Sequence, residues 1–241
     1  MNSLIKKYQN ELVQAVEELK KLPVGHLTKK QTYFYHVVKS KEFGITRKPE
    51  LIQQFCRKKY LLVRKAELEK VLKRPFEKFQ LSSPHEIIPK LPKAYQNVPV
   101  IYFYHPAVGK WLEKSHRQNT IDLEKAKYIF DGIAFRSMSE RMIAEQLASF
   151  ELPYKYDTIA NFNVYETFSP DFIIKNPFTD KTVVWEHFGA FDKEKYAIHM
   201  NDKMDKYLKH GYIENENLIV TFEYHLRDLE RIKTLIRKII L

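Results

Sequence analysis

Residues 171–186 read DFIIKNPFTDKTVVWE. Both ends are apolar and β-branched, while the middle, NPFTDK, holds the Asn-Pro and Asp-Lys steps of a turn. Folded about that turn, Lys175 faces Thr182, Ile173 faces Val184, and Asp171 faces Glu186. Directly opposed residues of an antiparallel pair share a face, with Cβ atoms about 4.5–5.5 Å apart. The stretch therefore predicts a hairpin that brings two carboxylates together among apolar neighbours. Such a pair repels and is costly to bury, and a divalent cation between the two removes both problems. Hard oxygen ligands favour Mg²⁺ or Mn²⁺ over zinc. The alternative is two solvent-facing acids at a sheet edge.

The pattern around this hairpin predicts further elements. Met138–Phe150 has helical spacing, Pro153–Asp157 is extended, and Pro170–Lys175 and Lys181–His187 are the hairpin strands. Asp192–His210 is helical and closed by Gly211, the residue expected just past a helix end. Asn217–Glu223 (NLIVTFE) reads as a strand covered on both faces, and Leu226–Ile240 as an amphipathic closing helix. The order is α-β-β-β-α-β-α. Glu140 is a third acid, on the helix face with Ile143, Ala144 and Leu147. It can reach a metal through water or orient a ligand. Equally, Ser137-Met-Ser-Glu140 matches a capping box, in which Glu140 serves its own helix start.

The Ser137–Glu140 helix start, Pro170-Asp171-Phe172, and Trp185-Glu186-His187-Phe188-Gly189 together resemble the nuclease domain of the PD-(D/E)XK superfamily. The Trp-Glu-His-x-Gly form is similar to a bacterial subgroup that lacks the lysine at its usual place. The matching stretch runs over about residues 132–225 and includes Tyr196, Lys203, Tyr207, Gly211 and Leu218–Glu223. The resemblance implies a restriction-endonuclease-like αβββαβ core and metal-dependent hydrolysis of a phosphodiester. It implies Asp171 and Glu186 as ligands of Mg²⁺ (or Mn²⁺), with the backbone carbonyl of His187 as a further ligand. The His187 side chain is expected to point away, because neighbouring strand positions face opposite ways. The family's lysine lies two residues after the glutamate, where this chain has Phe188. Lys203, at helical spacing from His199, Met200 and Tyr207, is the expected substitute; it could also be one surface lysine among several, with Lys206 and Lys209 close by. The catalytic set on this reading is Glu140, Asp171, Glu186 and Lys203.

The rest of the chain differs in charge. Residues 1–130 hold 26 Lys and Arg against 12 Asp and Glu, and residues 131–241 hold 15 against 18. The expected organisation is a basic, mainly helical region over 1–130 and a nuclease-like domain over 131–241. A basic half is a candidate grip for a polyanion, of which nucleic acid is the commonest. Residues 3–21 read as an amphipathic helix ended by Pro23 and Gly25, and Gln31–Val38 and Glu42–Thr46 as a hairpin. A helix from Pro49 to about Lys73 is expected to turn Leu51, Ile52, Phe55, Leu62, Ala66 and Val71 inward. Its outer face then carries Arg57, Lys58, Lys59, Arg64 and Lys65, as candidate phosphate contacts or as an ordinary solvated face. Residues 75–110, with six of eleven prolines, read as an irregular connector, and 121–130 as a short helix.

Composition excludes other classes. Six glycines in 241 residues argue against a glycine-rich nucleotide loop, and the lone Cys56 excludes an internal disulfide and a Cys-rich zinc site. No apolar run approaches the roughly 20 residues of a membrane span, and the first 21 residues lack a signal peptide's apolar core. A reducing, cytoplasmic setting is the expectation, with no membrane and no small-molecule cofactor. The expected function is a metal-dependent nuclease acting on DNA. The alternatives are a nuclease-fold core that binds nucleic acid without cutting it, for which Phe188 argues, and an RNA-directed nuclease.

Overall fold

The computed structural model describes residues 2–74, 81–114, 125–161, 166–189 and 194–240. The chain is mixed α/β, with several small sheets, and divides into two compact units, Met1–His105 and Pro106–Leu241. Residues 106–130 thus belong with the second unit, not with the basic region expected to end at 130. Drawn at this boundary, the first unit holds 21 Lys and Arg against 9 Asp and Glu, and the second 20 against 21. Among the described residues, no helix is long and apolar enough to cross a membrane.

The first unit opens with helix α1 (Asn2–Lys21) and a meander of β1 (His26–Lys30), β2 (Tyr33–Val38) and β3 (Lys41–Gly44). The expected two-stranded hairpin is a three-stranded antiparallel sheet, since HLTKK, poor in strand formers, pairs with β2 from Lys30↔Tyr33 to His26↔Val37. Gly25 enters the sheet at a φ of 97°, where a side chain would strike the Val37 carbonyl and the His36 ring. Helix α2 (Pro49–Lys73) follows, with proline in its first turn.

The expected phase of α2 needs correction. Ile52, Phe55 and Val71 are buried, but so are Cys56, Arg57, Tyr60, Leu61 and Leu68, whereas Leu62 and Ala66 are exposed. Burial pushes the Cys56 thiol up to about 12. The proline-rich connector contains short helices, α3 (Pro84–Ile87) and α4 (Lys93–Gln96), and 3₁₀ turns at Ile88–Lys90 and Val100–Phe103. Residues 75–80 lie outside the described ones. Tyr95 of α4 accepts the Leu27 backbone N–H through its hydroxyl at 3.0 Å, which ties this connector to β1.

The second unit begins with α5 (Pro106–Glu113). Residues 125–130, expected to be helical, instead lead into a hairpin of β4 (Tyr128–Phe130) and β5 (Ile133–Phe135), turned by Asp131 and Gly132, both at positive φ. Residues 121–124 of that expected helix are not described. Helix α6 (Met138–Ser149) leads to β6 (Tyr154–Tyr156), and β7 (Ala160–Asn161) pairs with β8 (Thr167–Phe168). Then come β9 (Phe172–Lys175), β10 (Thr182–Phe188), α7 (Glu194–Lys209) and β11 (Leu218–Phe222). The closing helix is interrupted: α8 (Glu223–Leu226), α9 (Leu229–Leu235) and a π-helical turn, Ile236–Ile240.

The main sheet has the order β11-β10-β9-β6. Strand β9 is antiparallel to both β6 and β10, and β11 runs parallel to β10, a pairing that needs a crossover such as α7. The hairpin register is the one read from the sequence: Thr182↔Lys175 and Val184↔Ile173, ending at Trp185↔Phe172. Strand parity then sorts the two faces. Phe172, Ile174, Val183, Trp185 and Ile219 pack with Ile143, Ala144 and Leu147 of α6 and with the C-terminal isoleucines. Val184 and Leu218 of the opposite face pack with Tyr207 and Met204 of α7. Glu186, two residues from Val184, is turned toward α7 as well.

Candidate active site

Glu186 sits near the end of the central strand β10 and is 1% exposed. Asp171 immediately precedes β9, one step beyond the last paired residues of the hairpin. At that point the backbone N–H of His187 donates to Asp171 Oδ2 at 2.6 Å, continuing the connection between strands through a side chain. The Asp171 carbonyl accepts the Asp157 N–H at 2.9 Å. The two acids that the turn symmetry opposed are therefore held at one end of the sheet.

Helix α7 supplies the cation. Lys203 Nζ donates to Glu186 Oε2 at 2.7 Å and to the Ser169 carbonyl at 3.3 Å. One turn later the hydroxyl of the fully buried Tyr207 donates to Glu186 Oε1. Tyr207 is fixed by edge contacts with Phe168 and Tyr212, at ring separations of 5.7 and 5.3 Å. From the sequence, Tyr207 is named only as a helical neighbour of Lys203, and its hydrogen bond is not foreseen. The available signal was its i+4 spacing from Lys203, which puts both on one helix face.

The electrostatics are unbalanced. Burial raises the pKa of Asp171 well above the ordinary carboxylate value, and the Glu186 charge raises it further; Lys203 and the His187 N–H act against them. Burial likewise raises Glu186, opposed by Lys203 and Tyr207. Tyr207 is raised by burial and by Glu186, so its hydroxyl keeps its proton and remains a donor.

The other residues named from the sequence have clear places. Glu140 serves its helix start: its N–H donates to Ser137 Oγ at 3.1 Å, and its Oε2 accepts from the Arg136 N–H at 3.2 Å. The same Oε2 accepts from the Tyr156 hydroxyl at 2.5 Å. Its charge still contributes to the raised pKa of Asp171. The His187 ring lies on the face opposite Glu186, with Nδ1 3.1 Å from Thr221 Oγ1 and Nε2 3.1 Å from Glu223 Oε1. Phe188 is buried and pairs with Phe222 across the parallel strands, with ring centroids 6.0 Å apart. No amine comes from that position. The side chain of Tyr196 lies outside the described ones.

The basic cluster of α2 is not the outward face expected. Arg57 is 3% exposed and donates twice to Glu18, at 2.8 Å each, and to the Phe103 carbonyl at 3.1 Å. Arg64 donates to Glu11 at 2.6 Å and to the Ser82 carbonyl at 2.9 Å. Lys58 caps the Pro23 and Gly25 carbonyls at 2.6 and 3.1 Å, and burial lowers its pKa. Lys65 pairs with Glu69 at 3.2 Å, and Lys59 is half-buried. Local periodicity did not reveal this, because the partners of Arg57 and Arg64 stand on α1, 39 and 53 residues earlier.

Among the described residues, no group of three or more His, Cys, Asp or Glu side chains is arranged to hold a metal ion. The pair Asp171 and Glu186 offers hard oxygens whose charged forms are disfavoured by burial. Both Glu186 oxygens already accept hydrogen bonds. Such a donor set fits a hard divalent cation that keeps much of its water, as Mg²⁺ does, rather than one enclosed by protein ligands. No family model, no curated protein and no solved structure matches the chain.

Proposed function

We propose that the chain is a metal-dependent nuclease of the PD-(D/E)XK type, hydrolysing phosphodiester bonds in DNA on a restriction-endonuclease-like core. The observation that carries the reading is Lys203, delivered from α7 to within 2.7 Å of Glu186 beside Asp171. The order α6-β6-β9-β10-α7-β11, once the small β7–β8 hairpin is set aside, supports the same reading. Asp171 and Glu186 hold Mg²⁺ or Mn²⁺, which when bound polarises the phosphate and lowers the pKa of a coordinated water. Lys203 takes the place of the strand lysine, putting positive charge where phosphorane charge develops. Tyr207 and the His187 N–H fix the directions of the two carboxylates. The basic first unit is the nucleic-acid grip, and the single buried Cys56 agrees with a reducing, cytoplasmic setting.

Phe188 favours a second reading, an inert core that binds nucleic acid. Incubation of the full chain with plasmid, single-stranded DNA and RNA, in Mg²⁺, Mn²⁺ or chelator, separates the two. The nuclease reading expects metal-dependent cleavage of DNA. Lys203→Ala should lower turnover roughly 10²–10³-fold, the usual cost of losing one transition-state donor, while calorimetry still detects metal binding. Cleavage in neither metal, or undiminished cleavage by Lys203→Ala, overturns it.

A further inference from the structure

We propose that the outer face of the β1–β2–β3 sheet is a stacking platform for single-stranded DNA, with Tyr33 and Tyr35 as its rings. This deepens the nuclease reading by naming the form of its substrate, and it relocates the nucleic-acid grip away from α2. The registers put His26, Thr28 and Lys30 of β1, Tyr33, Tyr35 and Val37 of β2, and Glu42 and Gly44 of β3 on one face. The opposite face carries Leu27, Phe34 and His36, and the His36 ring lies 4.7 Å from Phe55 of α2. At its β1 end that side belongs to the core, with Leu27 buried, while Phe43 of β3 on the same side is 50% exposed. On the outer side Tyr33 is 56% exposed, and Tyr35 is half-exposed under the Lys30 ammonium, 5.6 Å from its ring centre.

Gly44 stands opposite Tyr35, and a Cβ built there meets nothing within 4 Å. A flat ligand can therefore enter beside Tyr35 from the β3 side, and it reaches the ring face by displacing the exposed Lys30 side chain. Tyr33 and Tyr35 are two residues apart on one strand, about 6.7 Å, close to the separation of successive bases in an extended strand. Residues 26–48 hold six Lys and Arg but one acid, Glu42, which Lys30 neutralises at 2.6 Å. Lys39 in the β2–β3 turn and Arg47 and Lys48 just after β3 are exposed, whereas Lys41 falls on the opposite face. A basic rim around outward aromatic rings is the chemistry that tracks a phosphate backbone while bases stack. A duplex keeps its base faces hidden from such rings, so the occupant is a single strand.

The test measures binding of the full chain to fluorescent 20-nucleotide DNA in chelator, where nothing is cut. Single-stranded DNA should bind more tightly than duplex. Tyr33→Leu with Tyr35→Leu keeps strand propensity and apolar area but removes the rings, and should weaken binding roughly tenfold or more. Tyr33→Phe with Tyr35→Phe should stay within about twofold, because stacking needs the ring and not the hydroxyl. Gly44→Leu, which fills the space beside Tyr35, should weaken binding with an unchanged thermal melt. Wild-type affinity in the leucine pair, in the glycine variant, or a loss in the phenylalanine pair overturns the proposal. Preference for duplex or for RNA of the same sequence does so too. If tyrosine-dependent binding is found but Mg²⁺ produces no cleavage, the platform stands and the nuclease reading alone falls.

Discussion

Two buried charge clusters in this chain obey opposite arithmetic. Between α1 and α2, Arg57 meets Glu18 at 2.8 Å and Arg64 meets Glu11 at 2.6 Å, so each guanidinium has its carboxylate. Between β9, β10 and α7, two carboxylates meet one ammonium, and burial raises the pKa of both acids. The balanced cluster makes good its desolvation internally and serves to join helices. In the unbalanced one the second carboxylate has no cation of its own, so its charge is offset either by a proton, as the raised pKa values of both acids reflect, or by a bound cation. The difference marks the second cluster, rather than the first, as the candidate functional site.

Truncation should break the symmetry of that comparison most visibly. On the nuclease reading, Glu186→Ala is expected to reduce hydrolysis on the order of 10⁴-fold, the scale of losing a core catalytic group, and, because it leaves the Tyr207 hydroxyl without its acceptor while relieving the repulsion with Asp171, to cost no more than about 1–3 kcal/mol in a urea melt. Arg57→Ala should do the reverse. It strands Glu18 and should cost about 3 kcal/mol or more in a urea melt, with hydrolysis kept in the folded fraction. If Glu186→Ala unfolds the protein while Arg57→Ala is harmless, the assignment of the clusters is inverted.

A pH series sharpens the contrast. Both acids titrate above their ordinary values of 3.8 and 4.5, so from there up to the raised values the folded state holds more protons than the unfolded one. Metal-free stability must then fall as pH rises through that window, by up to about 1.4 kcal/mol per pH unit per proton. Asp171→Asn should flatten the fall, and Mg²⁺ should lift its upper end. Thermal melts from about pH 4 to 8 that superimpose for wild type and Asp171→Asn would show that the pair is not linked to folding. The smallest effect belongs to the outer face of α2. Lys65→Ala breaks an exposed pair with Glu69 and should change stability by less than about 0.5 kcal/mol.

What was legible in advance followed from local rules. The 171–186 hairpin announces itself by a turn between two β-branched runs, and its register follows from the symmetry of that turn. Parity then orients Glu186, His187 and Phe188 correctly. The phase of α2 was not legible, because apolar and basic residues lie on both sides of it. Which side is buried depends on Glu11 and Glu18 of α1. Strand β1 escaped because HLTKK becomes a strand through pairing with β2 rather than through propensity. Strand β4 escaped because Leu123-Glu-Lys-Ala-Lys127 before it favours a helix, and the positive φ at Asp131 and Gly132 decides otherwise. At the site, Asp171 and Glu186 were readable from spacing. The Tyr207 hydroxyl bond and the Tyr156–Glu140 contact depend on tertiary placement.

Both tryptophans lie in the second unit, and this divides the molecule optically. Trp111 stands on α5 with the Lys155 ammonium 4.6 Å above its ring. Trp185 is fully buried next to Glu186 in β10, its indole N–H donating to Thr221 Oγ1 at 2.8 Å. Indole emission therefore originates in the second unit alone, whereas far-ultraviolet dichroism also reports the helices of the first, such as α1 and α2. A denaturation curve followed by both signals separates the two units without cutting the chain. Because Trp185 shares Thr221 with the His187 ring, its emission also reports on the packing of the strand that carries Glu186.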